Sequence, residues 1–251
     1  TNLSAANKTY DGATSASVTT SGLTGFVGSE TVTAMSQGTF ADANAGNAKS
    51  VSVTFALADG TNGGKASNYQ LSSATRQANI TPKALSISGT TVANKIYDAT
   101  TSASVTTGAI SGLVGTEQIT ITSTGNFADA NVGNAKSVSV SYNLGNGNSG
   151  LASNYSLAGE TLSANISQRA LSLVGTSVST KTYDGTDSAN VTSFGSLSNI
   201  AGSDDVTLNT SAGLAKFAQS NAGTQNVILS GLSLNGSSAA AGREYAVAKH
   251  S

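Results

Sequence analysis

Asn7-Lys8-Thr9-Tyr10-Asp11-Gly12 returns as Asn94-Lys95-Ile96-Tyr97-Asp98-Ala99, and again as Thr180-Lys181-Thr182-Tyr183-Asp184-Gly185. Tyr10 and Tyr97 stand 87 residues apart, and Tyr97 and Tyr183 stand 86 apart. A second landmark keeps the same step. Phe40-Ala41-Asp42-Ala43-Asn44-Ala45-Gly46 is matched by Phe127-Ala128-Asp129-Ala130-Asn131-Val132-Gly133 and by Phe217-Ala218-Gln219-Ser220-Asn221-Ala222-Gly223. A third is Asn68-Tyr69, Asn154-Tyr155 and Glu244-Tyr245. Self-similarity at a fixed period is the signature of a modular array. The expected modules are residues 1–82, 83–168 and 169–251, the first without its opening strand and the third without its last. Alternating segments such as Ala84-Leu85-Ser86-Ile87-Ser88 precede the second repeat but not the first, so the chain reads as a piece of a longer array. Units of this size are large enough to bury a modest core each. Solenoid repeats of 20–45 residues, in contrast, depend on their neighbours.

Composition narrows the function classes. Only 10% of the residues are charged and the formal net charge is -1. With no basic run there is nothing to neutralise phosphates, which argues against nucleic-acid binding. There are no cysteines, which excludes disulfides, thiolate metal sites and cysteine nucleophiles. No apolar run approaches the ~20 residues that span a bilayer. Ser and Thr together number 72. This hydroxyl-rich, weakly charged surface fits a large exported bacterial protein.

Period-two alternation dominates the rest. Ser50-Val51-Ser52-Val53-Thr54-Phe55 and Ser137-Val138-Ser139-Val140-Ser141-Tyr142 place one row of side chains inward and one in water. Asn/Gly-rich turns separate the runs, for example Asp59-Gly60-Thr61-Asn62-Gly63-Gly64. The fold expected is mainly β: a tandem array of three β-sandwich-like, Ig-like modules with six or seven strands each. A β-grasp-like module with one short helix is the alternative. Residues 43–48, their counterparts, and residues 237–241 are the places for a helical turn. The recurring aromatics are the expected core anchors: Tyr10, Tyr97 and Tyr183; Phe40, Phe127 and Phe217; Tyr69, Tyr155 and Tyr245. A buried tyrosine needs a partner for its hydroxyl. Asp11, Asp98 and Asp184 are placed to cap turns through their carboxylates. The junctions Ile80-Thr81-Pro82-Lys83-Ala84-Leu85 and Ile166-Ser167-Gln168-Arg169-Ala170-Leu171 leave no flexible tract, which predicts a semi-rigid rod.

The order Lys-x-Tyr-Asp-Gly, an Ala/Val alternation (Ala16-Ser17-Val18), Phe-x-x-x-Asn-x-Gly, Asn-Tyr and Ala-Asn-Ile resembles the YDG repeat of bacterial filamentous haemagglutinin-like adhesins and large secreted exoproteins. The resemblance covers essentially the whole chain. It implies tandem β-rich modules tied to adhesion or biofilm matrix, outside the cell, with no catalytic residues. Three departures stand out. Ala99 replaces the motif glycine, which predicts a change of turn type. Phe217 follows Tyr183 by 34 residues where the other repeats have 30, and Glu244 replaces the Asn before its tyrosine.

No catalytic, cofactor-binding or metal-ligating residue is assigned. His250 is the only histidine, at the very end of the chain. Asp204-Asp205 is the only adjacent acid pair; neighbours on a strand face opposite ways, so it reads as a solvated turn. The Tyr-Asp-Gly motif supplies too few carboxylates for calcium and reads as a capped turn beside a core tyrosine. Lys8, Lys95 and Lys181 raise the idea of an intramolecular Lys–Asn isopeptide bond. The expected function is a structural stalk that holds a binding tip away from a bacterial surface. The alternative is a module that binds host or matrix glycans, which would show its aromatic rings in an exposed row. Adjacent repeats are the other expected partners.

Overall fold

The computed structural model describes residues 2–237 and 244–247; His250 and residues 238–241 of the expected C-terminal turn lie outside them. The chain is mainly β. It forms two compact units: Thr1–Thr90 with Thr107–Ser123 and Tyr142–Gly159, and Thr91–Thr106 with Thr124–Ser141 and Glu160–Ser251. The units are staggered against the sequence period. The first holds all of the first repeat together with part of the second.

In the first unit, the first repeat supplies β1 (Asn2–Ala5), β2 (Lys8–Thr9), β3 (Ser15–Ala16), β4 (Val18–Ser21), β5 (Val32–Phe40), β6 (Gly46–Asp59) and β7 (Ala74–Thr81). β5, β6 and β7 form an antiparallel meander, with Phe40 opposite Val51 and Val53 opposite Ala74. β1 and β4 pair as a ribbon, from Asn2 opposite Ser21 to Ala5 opposite Val18. The arms of the ribbon then part. β2 runs parallel to β7, with Lys8 opposite Ile80, and β3 pairs antiparallel with β5, with Ser15 opposite Thr39. One ribbon therefore bridges both edges of the meander and nearly closes the sheet into a barrel. Closure removes unpaired edges.

The alternation read from sequence fills that barrel. Val51 and Val53 are fully buried while Ser50, Ser52 and Thr54 face water. Tyr10, Phe40, Ala78, Ile80, Leu85 and Tyr155 complete the core. The walls come so close that a Cβ at Gly38 would meet Val18 Cγ2. A side chain there would have to displace a β-branched residue that has few rotamers to offer.

The second unit repeats the barrel with the second repeat. Lys95–Ile96 lies parallel to Glu160–Ser167, with Lys95 opposite Ile166. Ser102–Ala103 pairs with Ile119–Phe127 at Ser102 and Asn126, and Thr91–Val92 pairs with Val105–Thr106. In the third repeat, Arg169–Val178 pairs antiparallel with Val191–Ser198 and parallel with Tyr245–Val247.

Two local expectations are corrected. Residues 43–48 make no helical turn. Asp42 Oδ1 accepts from Asn44 N at 2.8 Å, and a strand begins at Gly46. Among the described residues the helical turns are instead single 3-10 turns at Ala66–Asn68 and Ala152–Asn154, which present the Asn-Tyr pairs. Ala99 does not change its turn. It takes φ 62°, in the same region as Gly12 (78°) and Gly185 (77°), because the Lys–Asp contacts around it are the same. An alanine there costs about 1–2 kcal/mol, part of which glycine would give back as unfolded-state entropy. Ala99→Gly is therefore expected to stabilise the chain by about 1 kcal/mol, read as a higher urea midpoint at constant slope.

Candidate functional site: a repeated tyrosine–carboxylate clasp

The Lys-x-Tyr-Asp turn is built the same way three times. Lys8 lies over the Phe40 ring, 5.6 Å from its centre. Its ammonium donates to Asp11 Oδ1 (2.7 Å), Ala13 O (2.6 Å) and Ser15 O (3.1 Å). Asp11 Oδ1 also accepts from Ala13 N at 2.9 Å. Lys95 with Asp98 over Phe127, and Lys181 with Asp184 over Phe217, repeat the pattern. The lysine hydrogen bond holds the Asp11 carboxyl below its ordinary range, and Lys181 does the same for Asp184, down to about 2. All three ammonium protons of Lys8 are used, and among the described residues none goes to an Asn side chain. The lysine therefore works here as a tie across the turn. Among the described residues no group of three or more His, Asp or Glu side chains is gathered to hold a metal ion.

The turn aims its tyrosine at a partner more than a hundred residues on. In the first unit, the Tyr10 hydroxyl donates to Glu117 Oε1 at 2.5 Å, and the Tyr155 hydroxyl donates to Glu117 Oε2 at 2.6 Å. The Tyr155 oxygen also accepts from Val114 N at 3.0 Å. The two rings meet edge to face, with centroids 5.4 Å apart, a favoured aromatic arrangement. Beside them Asn154, only 2% exposed, accepts from Ala45 N and donates to Asn44 Oδ1. Within the second unit, Tyr97 and Tyr245 both donate to Asp204 Oδ2, at 2.8 and 2.6 Å. Ala201 N donates to the Tyr245 oxygen, and the ring centroids are 5.3 Å apart. Each clasp joins a tyrosine of one repeat to an acid and a tyrosine of the next.

Half of the clasp stands alone in the first repeat. Tyr69 donates to Glu30 Oε2 at 2.7 Å and accepts from Val27 N at 3.0 Å. The complementary half stands alone in the third repeat, where Tyr183 is 65% exposed. This corrects the expectation of a core anchor at Tyr183. The acid and tyrosine that bury Tyr10 and Tyr97 come from a following repeat, and these 251 residues contain no fourth. Tyr69 is half-buried for the corresponding reason. Tyr10, Tyr97, Tyr155 and Tyr245 are buried as expected.

Asp204 is likewise more than a solvated turn, since it closes the second clasp. The acids of the clasp were not legible from local sequence, because they lie far from the tyrosines they bind. Their signal is the period: Glu30, Glu117 and Asp204 are spaced by 87 residues each.

Burial comes first in raising the Tyr10 hydroxyl to about 12, and the Glu117 hydrogen bond follows. Tyr245 reaches about 12 through burial and Asp204. An acid whose folded-state pKa lies above its unfolded value near 10 releases its proton earlier when unfolded. The contribution of these tyrosines is thus complete below about pH 10 and is lost as pH rises toward about 12. Thermal midpoints should hold to about pH 10 and fall steeply beyond it, and Tyr10→Phe should flatten that fall. A fall unchanged by the substitution would place the sensitivity elsewhere.

No helix among the described residues is long and apolar enough to cross a membrane. The YDG domain family model matches the chain three times, over residues 1–77, 81–163 and 167–251. No curated protein and no solved structure matches the chain.

Proposed function

Since this chain belongs to the YDG domain family, with three copies of the domain in series, we propose that it is a stalk segment of a bacterial surface or secreted adhesin. Its work is mechanical: it holds a binding tip away from the cell in adhesion or biofilm formation. The observation that carries this reading is the clasp. Tyr10 and Glu117, like Tyr97 and Asp204, are each 107 residues apart and still hydrogen-bonded. Successive repeats are thereby fastened through buried side chains as well as through the backbone. Within this reading each module is a small two-layer sandwich whose second layer is the β1–β4 ribbon, and the array works outside the cell with neither catalysis nor cofactor.

Glycan binding through a row of exposed aromatic rings draws less support, because the recurring tyrosines are mostly turned inward.

The test is a surface display fusion in which this chain separates a known binding tip from its anchor. Deletion should reduce adhesion to a target beneath a thick capsule. An unrelated rigid module of equal length should restore it. Restoration by this chain alone, or saturable binding of the isolated chain on a glycan and matrix-polysaccharide array, would overturn the stalk reading in favour of an adhesive module.

A further inference from the structure

Asparagine stands directly before glycine three times, at Asn62, Asn146 and Asn235. The side-chain amide of such an asparagine is open to attack by the next backbone nitrogen, because glycine has no side chain to shield it. The fold treats the three pairs differently. Asn146 ends a strand, and its Oδ1 accepts from Ala152 N at 2.8 Å. The Gly147 amide already donates to Gly150 O at 3.0 Å, and a Cβ on Gly147 would collide with Gln118 O. Asn235 is held in a strand opposite Thr207, and a Cβ on Gly236 would collide with Asp205 O. In both places the asparagine backbone is held and the glycine is packed against a carbonyl.

Asn62 and Gly63 form the tip of the turn after β6, and both are exposed. A Cβ built on Gly63 would meet nothing within 4 Å. Among the described residues the Gly63 amide donates to nothing. The Asn62 Nδ2 donates to Ser29 O at 2.8 Å, which ties the turn to the loop that carries Glu30. In the second repeat Ser149 Oγ makes the corresponding tie, to Thr116 O at 3.4 Å. Ser29 and Thr116 are one period of 87 residues apart. Asn148 and Ser149 are exposed as well, although Tyr10 of the first repeat is bonded to Glu117 in that loop's neighbourhood. Exposure of this turn is therefore a property of the repeat. One repeat makes the tie with a hydroxyl, the other with an amide that can be lost.

We propose that Asn62 is a site of spontaneous deamidation that cuts this tie. The Gly63 nitrogen bonds to Asn62 Cγ and gives up its proton, which reaches Nδ2 through solvent. The Cγ–Nδ2 bond breaks and Nδ2 leaves as ammonia. Water then opens the five-membered succinimide. Cleavage of its bond from nitrogen to Cγ yields aspartate, and cleavage of its bond from nitrogen to the main-chain carbonyl yields isoaspartate. Either product carries a carboxylate in place of the amide donor, so Ser29 O loses its partner. One negative charge is added to a formal net charge of -1. The proposal stands apart from the stalk reading, because it needs only this turn and water.

The test keeps the whole chain in mildly alkaline buffer, folded or in urea, and follows each pair by peptide mass mapping and isoaspartyl methyltransferase labelling. In urea the three pairs should convert at similar rates, since each is Asn before Gly. In the folded chain Asn62 should convert at least about tenfold faster than Asn146 and Asn235, which must wait for local opening. Asn62→Gln should abolish the early mass gain. Asn62→Asp, which imitates one product, should speed amide exchange in residues 28–31 by at least about twofold through loss of the tie. A folded chain that gains no mass while the urea sample converts fully would overturn the proposal, and so would conversion at Asn146 or Asn235 first. Unchanged exchange in residues 28–31 would overturn the cutting of the tie.

Discussion

Phe40→Ala is expected to destabilise the protein by about 3–5 kcal/mol, as removal of a buried aromatic ring from a packed core does. Phe40 is 2% exposed, opposes Val51 across the meander, and carries the Lys8 ammonium on its face. Its loss empties the barrel centre and also removes the surface that positions the Tyr10 turn. Phe217 occupies the same place in the third repeat but is only half-buried. Phe217→Ala should therefore cost clearly less, about 1–2 kcal/mol on area removed from water. Urea unfolding of both variants, followed by tyrosine fluorescence, reads the difference. Equal losses would mean that the third repeat packs as tightly as the first, against the exposure seen here.

Glu117→Ala should cost about 2–6 kcal/mol. Two hydroxyl donors, Tyr10 and Tyr155, lose their common acceptor while remaining in the core, and each unsatisfied buried donor costs about 1–3 kcal/mol. Glu117→Gln keeps an oxygen for one of them and should cost about half as much. The internal control is Glu30→Ala. Among the described residues Glu30 holds only Tyr69, and both are half-buried where water can replace the lost bond, so the change should stay below about 1 kcal/mol. If the Glu117 and Glu30 variants melt alike, the clasp contributes nothing beyond a surface hydrogen bond. A Tyr10→Phe, Glu117→Gln double-mutant cycle then measures the coupling directly.

The parts of the fold legible in sequence were those with a local cause. Alternation at Ser50-Val51-Ser52-Val53 gave the buried row, and the recurrence of Phe40 and Phe127 gave the core anchors. Asp11 capping Ala13 N followed from its place before a glycine. What local reading missed was relational. Ala99 was expected to alter its turn because alanine avoids positive φ; the surrounding ties to Lys95 and Asp98 override that preference. Tyr183 was expected in the core because its motif matches Tyr10. Burial of that tyrosine depends instead on an acid one period downstream. The stagger of the compact units has the same origin, since the core around Tyr10 includes Leu85 and Tyr155 from the next repeat.

The parallel pairing of β2 with β7 also sets an order in time. Lys8 lies opposite Ile80, so a chain emerging from its N-terminus cannot shut the first barrel until its seventh strand is out. Contacts of such separation are slow to form, because the intervening loop must be ordered first. Tyr10 waits longer still, for Glu117 and then Tyr155. Each repeat is thus finished only by its successor, and maturation trails the emerging end by about one period.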